Sequence, residues 1–169
     1  MKIIKTFFFF AFLVMHGNIY SQEIKSVKIT EVEKLVAETK GPLIINMWAT
    51  WCKPCVEEIP YFLEEVNAHN ASAKSNADSI HIYFISLDFK DSYQKKIPAF
   101  VKKRKITAPV WWLDETDADY FCPKLDAKWS GAIPATLFVN KQTGYRKFYE
   151  EQISPEDLKK EIMAILNTD

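Results

Sequence analysis

The chain has 169 residues with 22 basic and 22 acidic side chains, 48% hydrophobic residues and 26% charged ones. That length makes about one domain with a core large enough to stand without metals or cross-links, and the composition excludes a disordered chain. The even charge balance leaves no electrostatic footprint for nucleic acid or for an anionic membrane surface.

In chain order the first segment reads as an export leader. Lys2 and Lys5 precede an apolar run over residues 6–15, and Ile19-Tyr20-Ser21 offers cleavage chemistry near Ser21. The run is shorter than the ~20 residues a spanning helix needs. Residues 1–21 are therefore expected to be removed rather than kept as a membrane anchor. This leaves one domain over 22–169, periplasmic or otherwise exported, and soluble after cleavage. Removal takes away Lys2 and Lys5 and no acid, so 20 basic side chains face 22 acidic ones. With no cysteine before Cys52, a lipid-modified N-terminal cysteine is excluded.

Residues 24–29 (IKSVKI) alternate like a short strand, and Thr30 with Glu33 predicts a capping box opening a helix to about Thr39. Gly41-Pro42 punctuates. Residues 43–48 (LIINMW) are apolar but for Asn46, as in a strand buried on both faces. A helix is expected from about Lys53 to Asn70, with Val56, Ile59, Phe62, Leu63 and Val66 on one stripe. Polar residues 71–78 form a loop, and 80–87 a second buried strand. Ser92 can cap a helix reaching Lys105, although Pro98 demands a kink or a late start. Residues 109–113 predict a third strand and 116–129 a helical or irregular stretch. Residues 135–139 and 145–149 flank Lys141-Gln142-Thr143-Gly144, a hairpin signal. Ser154-Pro155 then opens a last helix to about Leu166. Strands alternating with helices predict an α/β fold, a mostly parallel sheet covered on both faces, with the terminal hairpin adding antiparallel strands.

The chemistry concentrates in Trp51-Cys52-Lys53-Pro54-Cys55, behind a buried strand and at a helix start. The pair could be a structural staple, half of a metal site or a redox centre. Export places Cys52, Cys55 and Cys122 where disulfides persist, and an odd count leaves at least one thiol without an intramolecular partner. Disulfide exchange needs an accessible thiolate. A helix N-terminus gives Cys52 unpaired N–H groups and the positive end of the dipole, and is expected to leave it exposed. Cys55, one turn later, can close the disulfide or resolve a mixed one. Pro54 suits the first turn, where its missing N–H is not needed. Lys53 could lower the thiol pKa by proximity, and Pro60 would bend the helix and free the Val56 carbonyl.

Trp48-Ala49-Thr50-Trp51-Cys52-Lys53-Pro54-Cys55, with Glu58 and Pro60, resembles the thioredoxin-fold active site and is similar to exported thiol–disulfide oxidoreductases of the TlpA/ResA kind. The resemblance covers about residues 24–167. It implies a thioredoxin-like fold with a central mixed sheet, and a cis-proline loop at Ile133-Pro134 facing the cysteines and pairing with an extended substrate segment. It also implies an α-β insertion, roughly residues 92–113, between the strand ending near Leu87 and that loop. In this reading Cys52 attacks, Cys55 resolves, and Trp51, Ile133 and Pro134 bind substrate, with Trp48 and Trp51 as apolar docking ground. The fold's buried aspartate is replaced by Asn46, which cannot take a proton from Cys55. Glu58, three residues beyond Cys55, becomes the candidate relay, the alternative being a solvated acid like Glu57. Implied partners are protein disulfides or dithiols and a membrane electron donor, with a reductant's role in cytochrome c maturation. The cysteines are the redox centre, so no cofactor is expected.

Competing chemistries lack residues. A zinc site needs four ligands, and outside the expected leader the only extra candidates are Cys122, His69 and His81, with His69 about 25 Å along the helix from Cys52. A Sco-type copper carrier needs CxxxC and a later histidine, and a peroxiredoxin needs a threonine where Ala49 stands. Two alternatives stay open: a binding module whose disulfide is merely structural, and a disulfide-forming oxidant. Cys122 reads either as a buried packing residue or as an intermolecular or regulatory thiol. Trp111, Trp112 and Trp129 read as core or rim aromatics.

Overall fold

The computed structural model describes residues 22–75 and 78–167. The expected leader and its cleavage point near Ser21 lie outside the described residues. Strand β1 (Lys25–Val27) leads into helix α1 (Ile29–Glu38) and strand β2 (Leu43–Trp48). Helix α2 (Lys53–Ser72), strand β3 (His81–Ser86), helix α3 (Lys96–Arg104) and strand β4 (Val110–Leu113) follow. Helix α4 (Ala118–Leu125), strands β5 (Ala135–Asn140) and β6 (Tyr145–Tyr149) and helix α5 (Pro155–Leu166) complete the order. The six strands form one sheet in the order β1-β4-β3-β2-β5-β6. The first four run parallel, and β5 and β6 are antiparallel to their neighbours. The mixed sheet and terminal hairpin read from the sequence are therefore present. Among the described residues no helix is long and apolar enough to cross a membrane.

All six β2 residues are buried, and their alternation divides the core. Leu43, Ile45 and Met47 face α1 and α4, packing with Val32, Phe121 and Leu125. Ile44 and Trp48 face α2, α3 and α5, packing with Phe62, Val101 and Leu158. Asn46, on this second face, is thereby aimed at α2.

Three local expectations are corrected. The helix near residue 30 opens at Ile29, and Glu31, not Glu33, receives the free N–H of Lys28 (3.0 Å). Burying Ile29 and Val32 fixes that start, and Glu33 reaches Lys124 instead (3.2 Å). Ser92 caps no long helix, since it closes a 3-10 turn over Lys90–Ser92. Helix α3 starts late, which puts Pro98 in its first turn, where no backbone donor is missed. Trp48 is not docking ground: strand alternation turns it wholly inward against Phe100, ring centroids 5.4 Å apart.

Helix α5 is fixed to the sheet edge by Glu161, a carboxylate only 6% exposed. It accepts from Lys147 Nζ (2.6 Å) and from the hydroxyls of Tyr149 (2.6 Å) and Tyr145, all on β6. Gly144, at φ +73°, makes the hairpin turn that brings these side chains back over α5.

Candidate active site

The carboxyl ends of β2 and β3 open side by side, and the site is built there. Past β2 the chain turns at Ala49–Trp51, with the Cys52 N–H on the Ala49 carbonyl (3.1 Å), and enters α2 with Cys52 as N-cap. Cys52 and Cys55 are joined by a disulfide. Cys52 Sγ accepts the Cys55 N–H (3.3 Å), so one of the helix's orphan donors is already spent on this sulfur. Across the gap, the Ile133 carbonyl oxygen lies 3.8 Å from Cys52 Sγ, and the Ile133–Pro134 peptide bond is cis. The two segments that the sequence singled out thus face one another.

The expected exposure of Cys52 is corrected. In this oxidised state it is 6% exposed and Cys55 fully buried, with the Ile133 carbonyl lying against Cys52 Sγ. What stands open beside it is aromatic: Trp51 (54% exposed) stacks on Phe89 (72% exposed), centroids 6.5 Å apart. Lys53 points to solvent and reaches Glu57 at 3.7 Å, an exposed i,i+4 pair of little energetic weight.

Glu58 is fully buried and is no solvated acid. Its carboxylate accepts from Asn46 Nδ2 (2.8 Å) and from the Ile153 N–H (3.1 Å) in the segment entering α5. Asn46 Nδ2 also donates to Thr136 Oγ1 (2.9 Å), its register partner on β5. Burial pushes the Glu58 carboxyl up to about 7, against the two hydrogen bonds that favour its anion. It is therefore poised to exchange a proton near neutrality. Asn46 Oδ1 has no partner among the described residues.

Asp88, just past β3, holds the Cys52 turn from behind. Its carboxylate accepts from Thr50 N–H (2.8 Å), Thr50 Oγ1 (2.5 Å) and Ser86 Oγ (2.8 Å). Its own carbonyl takes the Trp112 Nε1–H from β4 (2.7 Å). Asp88→Ala strands these donors in a largely buried setting. It is expected to cost roughly 3 kcal/mol, seen as a lower Tm of the oxidised protein.

Cys122 is a free thiol, 3% exposed, with burial pushing it up to about 11, so it stays protonated. His69 is engaged with the Asp78 carbonyl (2.9 Å), and His81 is exposed on β3. Sequence reading missed Asp88, Phe89 and Thr136. Only Thr136 left a trace, since a period of two after Pro134 puts it on the Asn46 face.

No family model matches the chain. Over 85 residues it is 29% identical to sporulation thiol-disulfide oxidoreductase A of Bacillus subtilis, covering 50% of this chain and 48% of that protein. Over 123 residues it is 24% identical to thiol-disulfide oxidoreductase ResA of Geobacillus thermodenitrificans, covering 73% and 62%. The matches thus span about half to three-fifths of these curated relatives. A crystal structure of a thioredoxin-related protein from Neisseria meningitidis superposes with a TM-score of 0.59 at 24% identity, over 77% of this chain and 89% of that one. The chain is a thioredoxin-fold protein with a paired CxxC site. Within that class, the sequence relatives it resembles over part of their length are named thiol-disulfide oxidoreductases, ResA among them.

Proposed function

We propose that the chain is an exported thiol–disulfide oxidoreductase that reduces protein disulfides through Cys52 and Cys55. The observation that carries this is Cys52 Sγ at the N-terminus of α2, holding the Cys55 N–H and facing the Ile133 carbonyl. A sulfur so placed is stabilised as thiolate by the backbone donor and the dipole, and its reduced form can swing toward a docked chain. The Cys52 thiolate attacks one sulfur of the substrate disulfide and expels the other as a thiolate, leaving a mixed disulfide. The Cys55 thiol gives its proton to Glu58, and the resulting thiolate attacks Cys52. The second substrate thiolate leaves, and two electrons have passed to the substrate. Ile133 and Pro134 hold the partner segment, and Trp51 gives it an apolar footing.

A reductant's role is supported by likeness to the ResA-like group. It needs a dithiol donor at the membrane to restore the thiols, and cytochrome c maturation is the proposed setting. The lysines and apolar run within residues 1–21, read as a leader, support export. The test is turnover of insulin disulfides by the protein with dithiothreitol as electron source. A rate no faster than dithiothreitol alone overturns the reading.

A further inference from the structure

Opposite the cysteines, the loop that carries Ile133 is held by a carboxylate that the exchange chemistry does not use. Strand β6 ends with Tyr149 opposite Thr136, so the next residue, Glu150, arrives at the segment leading into β5. Its Oε1 accepts three hydrogen bonds from that segment: Ser130 N–H (2.9 Å), Ser130 Oγ–H (2.5 Å) and Ala132 N–H (3.0 Å). Between them Gly131 sits at φ +100°, a conformation that side-chain-bearing residues rarely adopt, and it lets both flanking N–H groups turn toward one oxygen. From the other side Trp129 Nε1 donates to the Ala132 carbonyl (2.8 Å). The Ala132 peptide is thus fixed at both its N–H and its C=O. Sheet pairing resumes only at Ala135, opposite Met47. Ile133 and Pro134 are suspended between two anchored points, where the Ile133 carbonyl meets Cys52.

We propose that Glu150 is a positioning residue for substrate capture, folding the Ser130–Ala132 turn so that the Ile133 main chain faces Cys52 at the distance a docked polypeptide requires. This rests on the exchange reading above. The class of substrate it serves is an extended polypeptide that pairs with main chain. A small disulfide has no backbone to lay along Ile133 and depends on Cys52 alone. Losing an anionic acceptor shared by three donors leaves the turn free to adopt other conformations, and the cost falls on docking more than on sulfur chemistry.

The experiment compares insulin with dithiobis(nitrobenzoate), a small aromatic disulfide, as substrates of the reduced protein and of E150A, E150Q and S130A. In E150A, KM for insulin is expected to rise about tenfold. The ratio of kcat/KM for insulin to that for the small disulfide should fall by the same factor. E150Q, which keeps an acceptor oxygen, should recover most of the ratio, and S130A should fall between. Amide hydrogen exchange is the second readout: Ser130 and Ala132 should exchange at least about tenfold faster in E150A, with Ile45 and Phe138 in the core unchanged. An unchanged ratio, equal losses on both substrates, or unchanged protection at Ser130 and Ala132 overturns the proposal. Wild-type protein that reduces neither substrate overturns the exchange reading instead, and the amide rates then decide alone whether Glu150 fixes this loop.

Discussion

Replacing Cys52 by serine is expected to abolish disulfide exchange, whereas Cys55→Ser is expected to trap substrate proteins as covalent adducts on Cys52. The asymmetry follows from the helix. Cys52 is the N-cap and holds the Cys55 N–H at 3.3 Å, while Cys55 is fully buried one turn further in. Only Cys52 borders on solvent, so only it can meet an incoming disulfide. Without Cys55 the mixed disulfide has no internal thiol to break it. Non-reducing electrophoresis with mass spectrometry reads both outcomes, and the trapped chains name the substrates. Adducts that form on Cys55 in Cys52→Ser, at wild-type rates, would reverse the assignment. Loss of turnover should be at least about a thousandfold, since no second nucleophile of comparable strength is in place.

Glu58→Gln is expected to slow the resolving step about a hundredfold at neutral pH and to remove the inflection near pH 7 from the rate profile, as loss of a general base does. With the carboxyl at about 7, the rate in the wild type should climb as pH rises through 7 and the anion accumulates. Stopped-flow quenching of tryptophan fluorescence follows the step, and a profile in E58Q that keeps the inflection removes Glu58 from the relay.

Stability carries the same signature with its own sign. The folded carboxyl ionises at about 7 but the unfolded one near 4.5, so between those values the unfolded chain has released a proton that the folded one keeps. Stability therefore falls as pH rises from about 4.5 to 7, by roughly 3 kcal/mol, and levels off above. Chemical denaturation of the oxidised protein at pH 5 and pH 8 measures the drop, which E58Q should flatten. The substituted amide can be received by turning over Asn46, whose Oδ1 is without a partner among the described residues, so E58Q should fold.

The helices and strands were legible where one physical pattern dominated. The run LIINMW read as a strand buried on both sides, and Ser154-Pro155 as the opening of a helix; both stand as read, with Ser154 Oγ accepting the Asp157 N–H (3.1 Å). Reading failed where two local signals competed. Thr30 and Glu33 had the spacing of a cap, but burial of Ile29 moved the start upstream, a decision made by the sheet and invisible to a local pattern. Trp48 and Trp51 looked alike beside the cysteines, yet one is the last residue of a pleated strand and the other lies in the turn after it. Asn46 standing where the resemblance implies an acid could be read from the sequence, and Glu58 could be named as the candidate relay. That the two touch was not, because it depends on how α2 lies across β2 and on Thr136 standing opposite. Asp88 and Glu150 left no mark, since each works through hydrogen bonds to main chain that no spacing encodes.

The place of β4 in the sheet has a consequence for how such chains can diverge. It is wedged between β3 and β1, and its Trp112 indole reaches the Asp88 carbonyl, whose side chain in turn grips Thr50. A strand that looks like an ornament on a simpler scaffold is therefore mechanically in series with the turn that carries Cys52. Drift in the surface of α3 can pass unnoticed by the chemistry. A change in the length or register of β4 is transmitted, through two side chains, to the sulfur itself.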